Sequence, residues 1–313
     1  MIQFLSDVLS GAVGAVLELI DNIIELLSAI LNLLTSFKVF DMDWLSEAFY
    51  TPVKLLIGTE ASYDTSIAYK VYEVLIPVGA AFLMIYFAMY LQDLLLSDQY
   101  DMESLLKTIL YLILALLIMD NGYEFLIKCF DVICDPASGI THDIVESLKN
   151  DFFSGISSNA LFSSITLEDL FPSEFNDASD LISFLGSLTN LIPSILTAVF
   201  FPILLGVFLQ LTVDVARYMR AIKIAVYMAF SPIAFANIFG GTMLSSKSFK
   251  HFKKILSLFL QAPVIIILIA VACSCISELP SRYGLLVKLF FTWFLIRRAI
   301  KISEETTEAI VGL

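Results

Sequence analysis

The chain has 313 residues, of which 58% are apolar and 16% charged, with a net charge of −13 and a mean hydropathy of +0.87. Soluble domains average about 45–50% apolar and about 25% charged residues. The excess here falls in blocks of about 20, the length that crosses a hydrocarbon core of about 30 Å. That excludes a soluble enzyme, a disulfide scaffold and a disordered tail, and it predicts an all-α, polytopic helical membrane protein in the cell membrane, surrounded by lipid.

Residues 2–37 read as one amphipathic helix. Asp7, Gly11, Gly14, Glu18, Asp21, Glu25, Ser28 and Asn32 recur at steps of four and three and form a narrow stripe beside a broad apolar arc. Such a helix suits a membrane interface, a packing face against partner subunits, or a span whose acids face a wet lumen. Interfacial anchors usually carry Lys and Arg, whereas this stripe is acidic, so Asp7, Glu18, Asp21 and Glu25 are candidates for an assembly face. The first basic residue is Lys38, so the positive n-region of a cleavable signal is missing and insertion through the chain's own spans is expected. With the mixed, aromatic stretch that follows, residues 1–72 read as an extracytoplasmic amphipathic and interfacial region.

Residues 73–134 hold the first two spans. The first is uncharged between Glu73 and Asp93 and contains Pro77 and Gly79; the second runs from Leu105 to about Met119. Asp120-Asn121-Gly122 interrupts it, although Tyr123 to Val132 can continue the helix. Residues 135–180, rich in Ser, Asp, Glu and Phe, read as an acidic extracytoplasmic subdomain, because so long a polar stretch exceeds a simple hairpin. Residues 181–300 form the membrane core. Its first uncharged block, Leu181 to Val213, has 33 residues and would be about 50 Å long as one helix, so it divides into an interfacial piece (181–190) and a span (191–213). Ile224–Ser246, Ile255–Ser277 and Tyr283–Ile296 follow, giving five to six spans before a cytoplasmic tail at 301–313.

Charge is segregated along the chain. From Arg217 to Lys254 there are seven Lys and Arg and no carboxylate; from Cys134 to Asp180 there are nine acids and one lysine, Lys149. Lys and Arg are retained on the cytoplasmic side. If residues 224–246 cross, the Arg217–Lys223 and Lys247–Lys254 clusters fall on opposite sides. If that segment dips in and returns, both face the cytoplasm together with Arg297, Arg298 and Lys301. Pro232 and the pair Gly240-Gly241 are the breaks such a re-entrant segment requires, and non-helical backbone at that depth must be buried by protein or line water. The re-entrant arrangement, with the N-terminus outside, is the expectation.

Catalytic motifs are missing. The chain has no G-x-x-x-x-G-K-[ST] loop, no G-x-S-x-G and no H-E-x-x-H, so no catalytic residue, cofactor or metal site is expected. Cys129, Cys134, Cys273 and Cys275 lack C-x-x-C spacing and read as small packing residues; a Cys129–Cys134 bridge would need the helix end to unwind. Arg217, Arg220 and Lys223 stand three apart, so neighbouring members share a helix face. They read either as a snorkelling margin or, with Lys247, Lys250, Lys253 and Lys254, as a contact surface for a cytoplasmic partner or an anionic cargo. Gln261 reads as a hydrogen-bonding group between helices, and Pro263 as a kink.

Two basic residues preceding an apolar run, Phe230-Ser231-Pro232-Ile233-Ala234, then Gly240-Gly241, Ser248-Phe249-Lys250, Lys253-Lys254, Leu260-Gln261 and Val264-Ile265-Ile266-Ile267 form a pattern. It resembles the TrbL-like family, the polytopic membrane channel component of type IV secretion and conjugation systems, in its Gram-positive variant, over roughly residues 190–300. The resemblance implies a non-enzymatic subunit of a translocation channel for DNA or protein. Its implied partners are further copies of itself, other secretion subunits including separate ATPases, and the transferred DNA or protein in transit. A secondary transporter or permease and a non-conducting membrane scaffold are the competing classes.

Overall fold

The computed structural model describes residues 41–96, 102–149, 201–239, 247–277 and 285–313. Over these residues the protein is all-helical, with eight α-helices and no strand. They are α1 (Met42–Ile57), α2 (Ile67–Leu96), α3 (Met102–Cys134), α4 (Ile140–Leu148), α5 (Phe201–Ala229), α6 (Ser231–Phe235), α7 (Lys247–Ser277) and α8 (Leu285–Val311). Short 3-10 turns stand at Tyr63–Thr65 and Ala236–Phe239.

Two compact units divide the chain, one of residues 41–151, 212–272 and 295–313 and the other of residues 1–40, 152–211 and 273–294. In the second, Cys273, Ile276, Leu289 and Thr292 are buried, and Phe290 and Trp293 hold their ring centroids 5.9 Å apart. All that follows concerns the first unit, apart from the outer ends of α5, α7 and α8.

Local chemistry fixes α1. Asp41 sits in extended conformation before it, and its carboxylate accepts from the backbone N–H groups of Asp43 at 3.0 Å and Trp44 at 3.2 Å, two of the donors a helix start leaves unpaired. Gly58 ends it at φ 84°, where a Cβ would come within 2.4 Å of the Tyr63 Cα; only glycine fits that turn. The last carbonyl of α1, Ile57, accepts from the Tyr123 hydroxyl of α3 at 3.0 Å. Tyr72 of α2 likewise donates to the Met119 carbonyl of α3 at 2.7 Å. With Tyr63 and Tyr69 these two rings form a cluster whose centroids lie 5.0 to 6.2 Å apart.

Three helices are long and apolar enough to cross a membrane among the described residues: α2, α3 and α7. Five to six spans were expected; part of the difference falls on the 181–200 block, outside the described residues. Only 11% and 17% of the most apolar stretches of α2 and α3 are buried, against 67% of that of α7. Val74, Val78, Phe82, Ile85 and Met89 on α2, with Leu106, Leu110, Ile113 and Leu117 on α3, are exposed, which is the surface a lipid-facing hairpin presents.

One expected boundary moves and one alternative is decided. The helix continues past Asp120-Asn121-Gly122 through Tyr123 to Val132 as far as Cys134, and Asn121 donates its side-chain amide to the Leu117 carbonyl at 3.2 Å. The last apolar block and the expected tail are one helix, α8. Of the acidic loop subdomain, residues 140–148 form α4; its remainder beyond residue 149, the N-terminal stripe and Gly240-Gly241 lie outside the described residues.

Candidate functional site

The polar centre of the unit follows from one proline. Pro263 has no N–H to give to the carbonyl four residues earlier, Phe259. That carbonyl is met instead by Arg220 Nη2 at 3.2 Å and by the Cys134 thiol at 3.2 Å. Arg220 Nε donates to the Leu258 carbonyl at 3.0 Å, Nη1 to the Phe49 carbonyl at 2.9 Å, and Nη2 also to Cys134 Sγ at 3.3 Å. The residue is 2% exposed. The five N–H groups of a guanidinium lie in a rigid fork, and here that fork ties α1, α3, α5 and α7 together. No carboxylate of the described residues touches it, so the charge is held by carbonyl dipoles and a thiol. Cys134 and Cys129 are free thiols.

Ion pairs surround this centre. Lys54 meets Asp131 at 2.6 Å, and the Tyr50 hydroxyl donates to the same carboxylate at 3.1 Å; burial first, and then Asp131, push the Tyr50 hydroxyl well above its ordinary range. Lys149 of the α4 C-terminus reaches Asp43 at 2.5 Å. Arg217 Nε lies 3.0 Å from Asp214 Oδ1, a charge contact rather than an aligned hydrogen bond, and its guanidinium stands 5.5 Å from the Trp44 ring centroid and 4.9 Å from that of Tyr218. Lys223 pairs with Glu304 at 2.8 Å, and this hydrogen bond holds the Glu304 carboxyl below its usual value. Lys254 pairs with Glu308, and Lys253 donates to the Gly312 carbonyl at 3.1 Å. Lys247 and Lys250 are exposed, with no ion pair among the described residues.

These placements revise the expected contact surface. Arg220 is an interior residue, so it is not a member of any surface for a cytoplasmic partner; its carbonyl partners use the donors that a cargo would need. Arg217, Lys223, Lys253 and Lys254 are each engaged with neighbouring side chains or carbonyls. The two basic clusters do converge: Lys223 and Lys254 meet α8 at Glu304 and Glu308, four residues apart and so one helical turn. Phe49 and Trp44, expected outside, touch Arg220 and Arg217, expected inside. Residues 41–57 and the Arg217–Lys223 cluster therefore lie together in the unit.

The break at Ser231-Pro232 is built against the first span. Ser231 Oγ donates to the Tyr227 carbonyl at 2.9 Å, and His251 Nε2 lies 3.0 Å from the same carbonyl and 3.3 Å from Ser231 Oγ. Ser248 closes the other end of α6, donating to the Ala234 carbonyl at 2.7 Å. Pro232 presses on Gly79, where a Cβ would come within 2.6 Å of the Pro232 carbonyl oxygen. Beyond it, Phe235 and Ala236 join Leu83 of α2 with Ala115 and Met119 of α3 in one buried cluster. Gly79 lies six residues inside Glu73, so the break sits about 9 Å into the uncharged stretch of α2 at 1.5 Å per residue. Gln261 donates to Ser303 Oγ at 3.4 Å, the interhelical role expected of it.

Among the described residues no three His, Cys, Asp or Glu side chains gather as metal ligands. Comparison with protein-family models, with curated proteins and with solved structures finds no match to this chain.

Helical spacing already carried a sign that Arg220 is internal. Val213, Arg220, Ile224 and Met228 recur at steps of seven and four, and all four are buried; a cation on an apolar stripe is an inward-facing cation. Its partner was written in the sequence too, as the carbonyl that Pro263 leaves unpaired.

Proposed function

We propose that the protein is a non-enzymatic integral membrane subunit of a type IV secretion or conjugative transfer channel, helping DNA or protein across the cytoplasmic membrane. It acts as a homo-oligomer beside separate ATPases. The observation that carries this reading is the short broken helix α6, wedged by Pro232 against Gly79 at the inner part of a lipid-facing hairpin. Irregular backbone at that depth is tolerated only inside protein or beside water, and a subunit that contributes to a conduit has a use for it. The Ser231-Pro232 pattern of the resemblance falls on this same segment.

The sidedness that best fits the charges differs from the sequence-based expectation. Lys54, Lys128, Lys149, the Arg217–Lys223 cluster, Lys253 and Lys254 belong to the face built around Arg220. The far end of the hairpin carries Asp93, Glu103 and one cation, Lys107, itself paired with Glu103 at 2.6 Å. Under the positive-inside rule the Arg220 face is cytoplasmic and the turn after Leu96 is external.

Two experiments test the proposal. In a cysteine-free background, Glu103→Cys should react with an impermeant thiol reagent on intact cells, whereas Glu60→Cys should react only after permeabilisation; the reverse pattern inverts the topology. Deletion of the gene should abolish conjugative transfer, and the detergent-extracted protein should copurify with a secretion ATPase. Solute exchange by the purified protein in vesicles, with transfer unaffected by deletion, would assign it to the transporter class instead.

A further inference from the structure

A cavity of about 480 Å³ opens between α3, α6 and α7, within the range of about 300–1,000 Å³ that small-molecule sites occupy. Helix α3 lines it with two stripes. Ala115 and Gly122 are buried and, with Phe235 of α6, form the floor. Leu117, Asn121 and Phe125 stand four apart, so they share a face, and all three are exposed along the mouth. Phe249 and Phe252 of α7 make the opposite wall. At Gly122 a Cβ would come within 3.3 Å of the Tyr72 hydroxyl oxygen and 3.4 Å of Phe235 Cε2, so the floor is close-packed and the free space lies toward the exposed stripe.

The lining selects for carbon. Two polar side chains reach the cavity, Ser248 and Asn121, and no ionised one lines it among the described residues. The Ser248 hydroxyl is given to the Ala234 carbonyl at 2.7 Å, and the Asn121 amide to the Leu117 carbonyl at 3.2 Å. A held water needs about two to four polar partners, which the floor does not offer. An empty space would leave the rings without partner atoms on one side. Hydrocarbon is at hand on the open side: Leu117 belongs to the uncharged stretch of α3 and is exposed together with Leu110 and Ile113, the surface read above as facing lipid.

We propose that this cavity is a binding site for one hydrocarbon chain of a surrounding lipid, which enters between Leu117 and the rings of Phe249 and Phe252 and ends against Ala115 and Phe235. Lipid tails are as apolar as these walls, so what holds the chain is packing rather than escape from water. The chain takes the place of side chains that α3 and α7 do not supply beside the break at α6. With no ionised group in the lining, the site recognises the chain and is indifferent to the headgroup it carries. The inference rests on the reading that sets α2 and α3 in a bilayer, not on membership of a transfer channel, so its test is made on the isolated protein.

The full-length protein is reconstituted in phosphatidylcholine vesicles in which a minor fraction of the lipid carries a diazirine near the end of one acyl chain. After irradiation and digestion, adducts are located by mass spectrometry. The wild type should carry them on Phe249 or Phe252 and also on Phe82, an exposed residue of α2 that reports contact with bulk lipid. Leu117→Trp, which narrows the mouth, should reduce the Phe249 and Phe252 adducts to background and leave Phe82 unchanged. Asn121→Trp should do the same; both positions are exposed, so one variant serves if the other does not fold. The same photoreactive chain on phosphatidylglycerol should give the same pattern. Adducts on Phe82 with none on Phe249 or Phe252 overturn the proposal. So do cavity adducts that both variants leave unchanged, or a pattern that depends on the headgroup. A Phe82 free of adducts would overturn the bilayer placement of α2, and this inference with it.

Discussion

Two regions of nearly equal apolarity are used in opposite ways. The α2–α3 hairpin leaves its valines, leucines and isoleucines uncovered and keeps a small interior, the cluster of Leu83, Ala115, Met119, Phe235 and Ala236. Helix α7 is the most apolar of the three long candidates, yet two-thirds of its apolar stretch is enclosed. A helix that is apolar all round is buried, in protein or in lipid, and hydropathy does not distinguish these. What separates the two regions is the polar groups they carry. Along α7, Ser257 and Gln261 face Thr307 and Ser303 of α8, and Leu258 and Phe259 offer carbonyls to Arg220. Between Glu73 and Asp93, α2 carries no charge to share with a neighbour.

The largest effect that would break this contrast is at Arg220. Arg220→Ala leaves the Phe259 carbonyl short of a donor and removes the tie to Phe49, and it should destabilise the unit by about 3–5 kcal/mol, the range for losing a partner from a buried charged network. Thermal unfolding in detergent measures it, and Arg220→Lys should rescue little, because an ammonium cannot span the same carbonyls. A loss under 1 kcal/mol would mean the fork is incidental.

The lipid-facing side is tested by Phe82→Arg, which should reduce membrane insertion by about 2.5–3.5 kcal/mol on an insertion scale. If insertion is unchanged, α2 does not face hydrocarbon at that position. Gly79→Ala comes next: the added methyl group meets the Pro232 backbone, and overpacking of this kind costs about 1–3 kcal/mol. Wild-type stability in that variant would show that α6 is free to move away from α2.

A subtler measurement sharpens the comparison. Pro263→Ala supplies an N–H to the Phe259 carbonyl, so it should reduce the cost of Arg220→Ala. A double-mutant cycle should give a coupling of about 0.5–3 kcal/mol, the range for residues sharing one network, and additivity would separate the two residues. The smallest effect is expected from pH. The Glu304 carboxyl is depressed by Lys223, so its contribution is present above the unfolded value of about 4.3 and is lost as pH falls through the lower folded value. Glu304→Gln should flatten the acid limb of the stability curve slightly; an unchanged limb would show the pair contributes nothing, as many exposed pairs do.

Much of the fold was legible because it rests on period and length. The uncharged stretches, the break at Ser231-Pro232 and the interhelical role of Gln261 follow from spacing and from what lipid forbids. The site was legible only in part. The apolar stripe of Val213, Ile224 and Met228 marks Arg220 as the inward member of the Arg217–Lys223 cluster, but its acceptors at residues 49, 134 and 258–259 come from distant segments that spacing does not bring together. Asp120-Asn121-Gly122 left two readings open, because polar residues at a helix break and polar residues at a bilayer boundary have the same composition; the helix runs on to Cys134. Sequence spacing likewise gives no sign that residues 41–57 come to lie beside the Arg217–Lys223 cluster, which a single hydrogen bond from Arg220 to Phe49 shows directly.

That fork also sets an order on biosynthesis. Its farthest acceptor, Phe49, lies 171 residues upstream, whereas the Leu258 carbonyl lies 38 residues downstream. At about 5–20 residues per second, the guanidinium therefore waits some seconds after it is made before its last acceptors exist. Nascent chains ending before residue 258 lack the Leu258 and Phe259 carbonyls and so hold that cation with fewer acceptors.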